Sequence, residues 1–102
     1  MAKVNGFRVF PAEILAQLDT IEGVVEAVVL PVKADGATQL VAFLLVPEDF
    51  AMRPNKVRMA LGRRLPAYMV PGQIHLLHQF PRTSSGKPDR LRLASDANLS
   101  GA

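Results

Sequence analysis

Residues 81–90, PRTSSGKPDR, set one lysine behind a Thr-Ser-Ser-Gly run and directly before a proline. An ammonium held at such a turn suits the recognition of an anion. The Gly-Lys pair invites comparison with the phosphate-cradling Gly-x-x-x-x-Gly-Lys-Ser/Thr loop. Here, however, Pro81 stands five positions before Gly86, and Pro88 offers no hydroxyl for magnesium, so that comparison fails. The local composition still favours an anion. Arg82, Lys87, Arg90 and Arg92 fall within eleven residues with Asp89 the one opposing charge, and Ser and Gly amides can form an anion-accepting concavity. On this loop alone the default reading is a solvated basic turn, because most charge runs are solvent faces.

The remaining reactive residue types do not assemble into a second centre. His75 and His78 lie three apart in an expected strand, where side chains alternate faces, so a shared metal is disfavoured and no metal site is expected. Cysteine is absent, which removes disulfides and thiolate ligands. Ser84 and Ser85 have no base beside them, and Glu22, Glu26, Glu48 and Asp49 read as surface or strand-end residues. A lone lysine without a complete active site implies that the other half of the chemistry lies elsewhere.

The elements that must carry this loop follow from pattern. Pro11-Ala-Glu13 opens a helix, with a proline and an acid suited to its first turn. Ile14, Leu18 and Ile21 recur as one apolar stripe, and Gly23 ends it. Residues 24–32 and 38–47 are β-branched-rich strands joined through Asp35-Gly36, a hairpin signal. Both faces of the second strand are apolar, which predicts a central strand covered on each side. Arg53-Pro54-Asn55 leads into a second helix with Val57, Ala60, Leu61 and Leu65 inward and Lys56, Arg58 and Arg63 outward. LPAYMVP, residues 65–71, reads as a stiff extended connector. A third strand is expected over 72–80, and a short last helix over 88–94. The tail, 95–102, reads as frayed. These elements predict an α+β domain: a roughly three-stranded sheet flanked by helices, with a short N-terminal hairpin or loop.

The bulk properties bound the rest. At 102 residues the chain fits one domain, and its 49 % hydrophobic and 21 % charged content is that of a globular protein. The N-terminus lacks the apolar core of a signal peptide, and the longest apolar run, residues 40–46, is far short of the ~20 needed to cross a bilayer. A soluble, cytoplasmic protein without a membrane partner is expected. The net charge of +3 is weak evidence for nucleic-acid binding. A basic module using Lys56, Arg58, Arg63, Arg82 and Arg92 on nucleic acid stands as a rival reading, disfavoured by the lack of interleaved aromatics. Another is a basic helix docking an acidic carrier protein.

Three segments in order, KVNGFRV with Glu13-Ile14 beyond it (3–14), LPAYMVP (65–71) and PRTSSGKPDR (81–90), resemble the C-terminal subdomain of the acyl-adenylate-forming enzymes. That superfamily holds acyl- and aryl-CoA synthetases, nonribosomal peptide synthetase adenylation domains, carrier-protein ligases and luciferases. The resemblance covers essentially the whole chain. It implies that Lys87 enters the active site of a large N-terminal adenylation domain of the same polypeptide. There the lysine would contact the substrate carboxylate and the α-phosphate region of ATP as the acyl-adenylate forms, with ATP and Mg2+ bound mainly by that domain. Gly86 would give the loop its flexibility, and Pro88 stands where relatives often carry Val or Ile.

After adenylation the small domain would rotate, and Gly6, Phe7 and Arg8 would line the channel by which a pantetheine thiol, of CoA or of a carrier protein, reaches the adenylate. Glu13 would start a helix, and Tyr68 and Met69 would serve packing. The resemblance places the hinge a few positions before Lys3, so that the chain starts just past it, which makes Met1 an introduced start and the chain, 1–102, a lid subdomain cut at a domain boundary and inactive alone. Pro11-Ala-Glu13 leans toward CoA synthetases, and LPAYMVP with GKPDR toward carrier-protein-dependent domains, so the acceptor stays open, as does the carboxylic or amino acid activated. The Pro81–Gly86–Lys87 spacing also resembles the site at which acyl-CoA synthetases are silenced by lysine acetylation, which would remove the charge.

Overall fold

A computed structural model of the chain describes residues 2–4, 7–9, 11–34 and 37–96. Strands β1 (Ala2–Val4) and β2 (Phe7–Val9) pair antiparallel, with Lys3 opposite Arg8. This is the short N-terminal hairpin expected from the sequence. Helix α1 (Pro11–Leu18) follows, with Glu13 exposed in its first turn. Ile14 and Leu18 are fully buried from its inner face, and Ile21 packs against the same cluster from just beyond the helix.

Strands β3 (Glu26–Ala34) and β4 (Ala37–Leu45) form an antiparallel pair. The Asp35-Gly36 turn expected between them lies outside the described residues. Helix α2 (Pro54–Gly62) begins on a proline, whose missing N–H has no partner to lose in a first turn. It connects β4 to β5 (Gln73–Leu77), which pairs parallel to β4, and helix α3 (Arg90–Asp96) closes the described chain. The last helix thus runs from Arg90 through Asp96, beginning two residues later than expected. Residues 97–102 of the tail lie outside the described residues.

The sheet order is β3-β4-β5, so β4 is central. The apolar residues on both its faces find cover on both. Leu40, Ala42 and Leu44 join Ile14 and Leu18 of α1, Val57 and Leu61 of α2, and Met69 and Ile74 in one cluster. On the other face Val41 and Phe43 meet Val28, Val32, Phe80 and Leu93 of α3. Pro31 sits exposed in β3, an outer strand of this sheet, where a missing N–H interrupts no ladder. The structure is the expected α+β domain, a mixed three-stranded sheet with helices on both faces.

Helix α1 ends at Leu18, short of the Gly23 expected to stop it, because the chain turns over residues 19–23. Two further expectations change. The connector over 65–71 contains a 3-10 turn (Ala67–Met69), closed by hydrogen bonds from Met69 N to Pro66 O and from Val70 N to Ala67 O. Prolines at 66 and 71 fix the backbone on either side, but the three residues between Pro66 and Val70 tighten to bury Met69. The third strand stops at Leu77, short of the expected 80, and Phe80 turns into the second cluster instead.

Candidate functional site: a lysine on a braced turn

The loop carrying Lys87 leaves the carboxyl end of β5. It sits at the end of the sheet where Glu26, Leu45 and Leu77 are neighbours in register. Its backbone closes on itself: Thr83 N donates to Lys87 O (2.8 Å), Gly86 N to Thr83 O (2.9 Å) and Asp89 N to Pro81 O (2.8 Å). Arg82 and Pro88 face each other as an antiparallel bridge. The Thr-Ser-Ser-Gly run is therefore part of a hydrogen-bonded turn. The Gly86 amide is engaged inside it, so the expected concavity of Ser and Gly amides is one donor short. Gly86 has φ of +86°, a left-handed conformation that glycine adopts without a Cβ penalty.

The charges sort themselves differently from their order in sequence. Arg82 forks onto the carboxylate of Glu26, with Nη2 to Oε1 at 2.9 Å and Nη1 to Oε2 at 3.2 Å, while Nη1 also reaches Gly86 O at 3.4 Å. The hydrogen bond to Glu26 raises the guanidinium's pKa above its ordinary value; partial desolvation opposes this and the carboxylate's charge adds to it. Asp89, read from sequence as the loop's one opposing charge, accepts instead from Arg92 N through Oδ1 (3.1 Å). It caps α3 three residues before that amide. Glu26, read from sequence as a strand-end residue, is the carboxylate that meets the loop.

Lys87 is exposed, and among the described residues its ammonium makes no hydrogen bond or ion pair. The turn therefore holds the lysine's backbone and leaves its charge available, an arrangement that can deliver one cation to an anion approaching from outside the domain.

Phe7 and Arg8 fall on β2, which lies against the 3-10 turn, whereas the Lys87 loop is tied to the start of β3. Gly6 lies outside the described residues. His75 stacks on Phe43 with ring centroids 5.2 Å apart and bonds to Gln73 Oε1. His78, just past β5, donates from Nδ1 to Val46 O at 3.0 Å. Both histidines serve the fold, and among the described residues no three His, Asp or Glu side chains cluster as a metal site would require. On α2, Arg58 reaches Gly72 O and Asn55 Oδ1. No helix of the structure is long and apolar enough to cross a membrane.

The small α+β domain thus presents Lys87 on a closed turn, without a partner among the described residues. Residues 13–87 match the family model of the AMP-binding enzyme C-terminal domain, and the chain belongs to this family, the C-terminal domain of acyl-adenylate-forming ligases.

The chain is 41 % identical over 93 residues to the delta-poly-L-ornithine synthetase of Acinetobacter baumannii (strain AB307-0294), covering 89 % of the chain and 7 % of that protein. It is 39 % identical over 101 residues to the D-alanine–D-alanyl carrier protein ligase of Staphylococcus aureus (strain JH9), covering 94 % of the chain and 21 % of that protein. Among solved structures it resembles a benzoate CoA ligase from Burkholderia xenovorans LB400, with a TM-score of 0.70 and 27 % identity over 81 % of the chain and 18 % of that structure. The chain thus spans less than a quarter of the length of each of these relatives.

Proposed function

We propose that this domain is the mobile lid of an ATP-dependent, AMP-forming ligase and that Lys87 serves its adenylation half-reaction. The observation that carries the reading is the exposed ammonium of Lys87, without a partner among the described residues, at the tip of a turn that its own backbone bonds hold closed. Family membership and the PRTSSGKPDR segment support it.

In the proposed reaction a substrate carboxylate oxygen attacks the α-phosphorus of ATP, the bond to the leaving pyrophosphate breaks, and an acyl-adenylate forms. Negative charge redistributes around phosphorus in that step, and a positioned ammonium in a closed site stabilises it. A large N-terminal adenylation domain of the same polypeptide supplies the acid pocket and most of the ATP and Mg2+ contacts. A pantetheine thiol, of CoA or a carrier protein, then attacks the acyl carbonyl and AMP leaves. Gly6, Phe7 and Arg8 are assigned to that second step, reached by rotation of the domain. We assign the enzyme to the cytoplasm, where ATP and such a thiol are both available.

The test is Lys87→Ala in the full-length ligase. The rate of acid-dependent ATP–pyrophosphate exchange is expected to fall by about 10²–10³, with transfer from preformed acyl-adenylate to the thiol retained. Full exchange activity in that variant overturns the assignment. The nucleic-acid reading gains no support, since Arg82, one of its five cations, is engaged by Glu26.

A further inference from the structure

The fork between Arg82 and Glu26 spans 56 residues of sequence and joins the first residue of β3 to the turn that carries Lys87. A planar guanidinium meeting both oxygens of one carboxylate fixes orientation as well as distance. Here the same guanidinium extends a third contact, from Nη1 to the carbonyl of Gly86, the residue immediately before Lys87. Arg82 also pairs across the turn with Pro88, the residue immediately after it. The lysine is thus bracketed on both sides by positions that Arg82 touches, and Arg82 is anchored to the sheet through Glu26.

The turn's backbone hydrogen bonds, and the contact between the Thr83 and Ser85 hydroxyls, lie within residues 81–89 or lead into α3. They shape the turn and tie it to α3, whose Leu93 shares a cluster with Val28 and Val32 of β3; the fork adds a direct polar link from the turn to the first residue of that strand. Both partners of the fork are partly exposed, with 40 % and 33 % of their side-chain surfaces accessible, and an exposed ion pair adds little to global stability. Its effect is then local: it sets the direction in which the turn points.

We propose that Glu26 is a positioning residue for Lys87, acting through Arg82 to aim the lysine's turn from the end of the sheet. This rests on the assignment of Lys87 made above, but the brace itself can be tested without it. A positioned charge is effective only within narrow geometric limits, and a displacement of about 1 Å can lower a rate roughly 10²-fold. Release of the turn should therefore lower adenylation while leaving the fold intact.

Two measurements decide the matter. In the chain as it stands, Glu26→Gln keeps the size of the side chain and loses its charge. Amide hydrogen exchange at Thr83, Gly86 and Asp89 should quicken about tenfold or more, with exchange in β4 unchanged. Unaltered exchange at all three amides overturns the brace, whatever Lys87 does.

In the full-length ligase, Glu26→Ala should lower pyrophosphate exchange roughly tenfold, mainly in kcat, and leave transfer from preformed acyl-adenylate unchanged. The double variant Glu26→Ala/Lys87→Ala should be no slower than Lys87→Ala alone, because residues acting as one unit are non-additive. The exchanged pair Glu26→Arg/Arg82→Glu should recover part of the loss. Additive losses, or equal losses in both half-reactions, would show a general structural role and overturn the proposal. Full exchange activity in Lys87→Ala would instead remove the assignment of the lysine and leave the hydrogen-exchange result standing.

Discussion

At Gly86 the backbone has φ of +86°, and nothing lies within 4 Å of where a Cβ would stand. Glycine is required there by conformation and not by space. Gly23 has a similar φ of +93°, but a Cβ there would come within 2.5 Å of the Phe50 ring. Gly86→Ala should cost roughly 1–2 kcal/mol for the left-handed backbone, and Gly23→Ala should cost that plus displacement of the ring. Urea unfolding of the two variants should rank Gly23→Ala as the less stable; equal losses would mean that Phe50 swings aside freely. From sequence Gly86 is legible as a loop residue, whereas Gly23 reads as a helix stop although α1 ends at Leu18. The Phe50 ring over Gly23 is not legible, because nothing local links positions 23 and 50.

The last helix shows how far an element can be read from its own residues. Arg90-Leu91-Arg92-Leu93 carries two leucines two positions apart, which a helix turns toward nearly opposite sides. Periodicity over seven residues cannot decide which of them faces the core. Leu93 is 1 % exposed among Val28, Phe43 and Phe80, whereas Leu91 is 86 % exposed. Leu93→Ala should destabilise the domain by about 2–5 kcal/mol, and Leu91→Ala should stay within about 0.5 kcal/mol of the wild type. Thermal or urea unfolding of the pair checks this, and the reverse ranking would mean that α3 docks by its other side. The N-terminal end of α3 depends on Asp89, a residue type suited to a helix cap, although in sequence it reads as the loop's opposing charge, with the helix beginning at 88. The 3-10 turn at 67–69 had no such signal, since flanking prolines are equally compatible with an extended path.

For the molecule as a whole, one lysine on one side of a small sheet cannot build a site for both ATP and an acid. The chain alone should therefore catalyse no ATP–pyrophosphate exchange with any acid, and measurable exchange would contradict its assignment as a lid. The helices and strands, the apolar residues on both faces of β4, the family and the turn that bears Lys87 are all legible in the sequence. Each of these is written in short segments, the family in three of them taken in order. Three further features come into being only when the elements pack: Glu26 meets Arg82, β5 runs parallel to β4 on the side away from β3, and Leu93 rather than Leu91 enters the core. Separation along the chain explains the division. Backbone propensity and side-chain periodicity act over a few residues, whereas an ion pair 56 positions apart exists only once packing has brought the end of the sheet and the turn together.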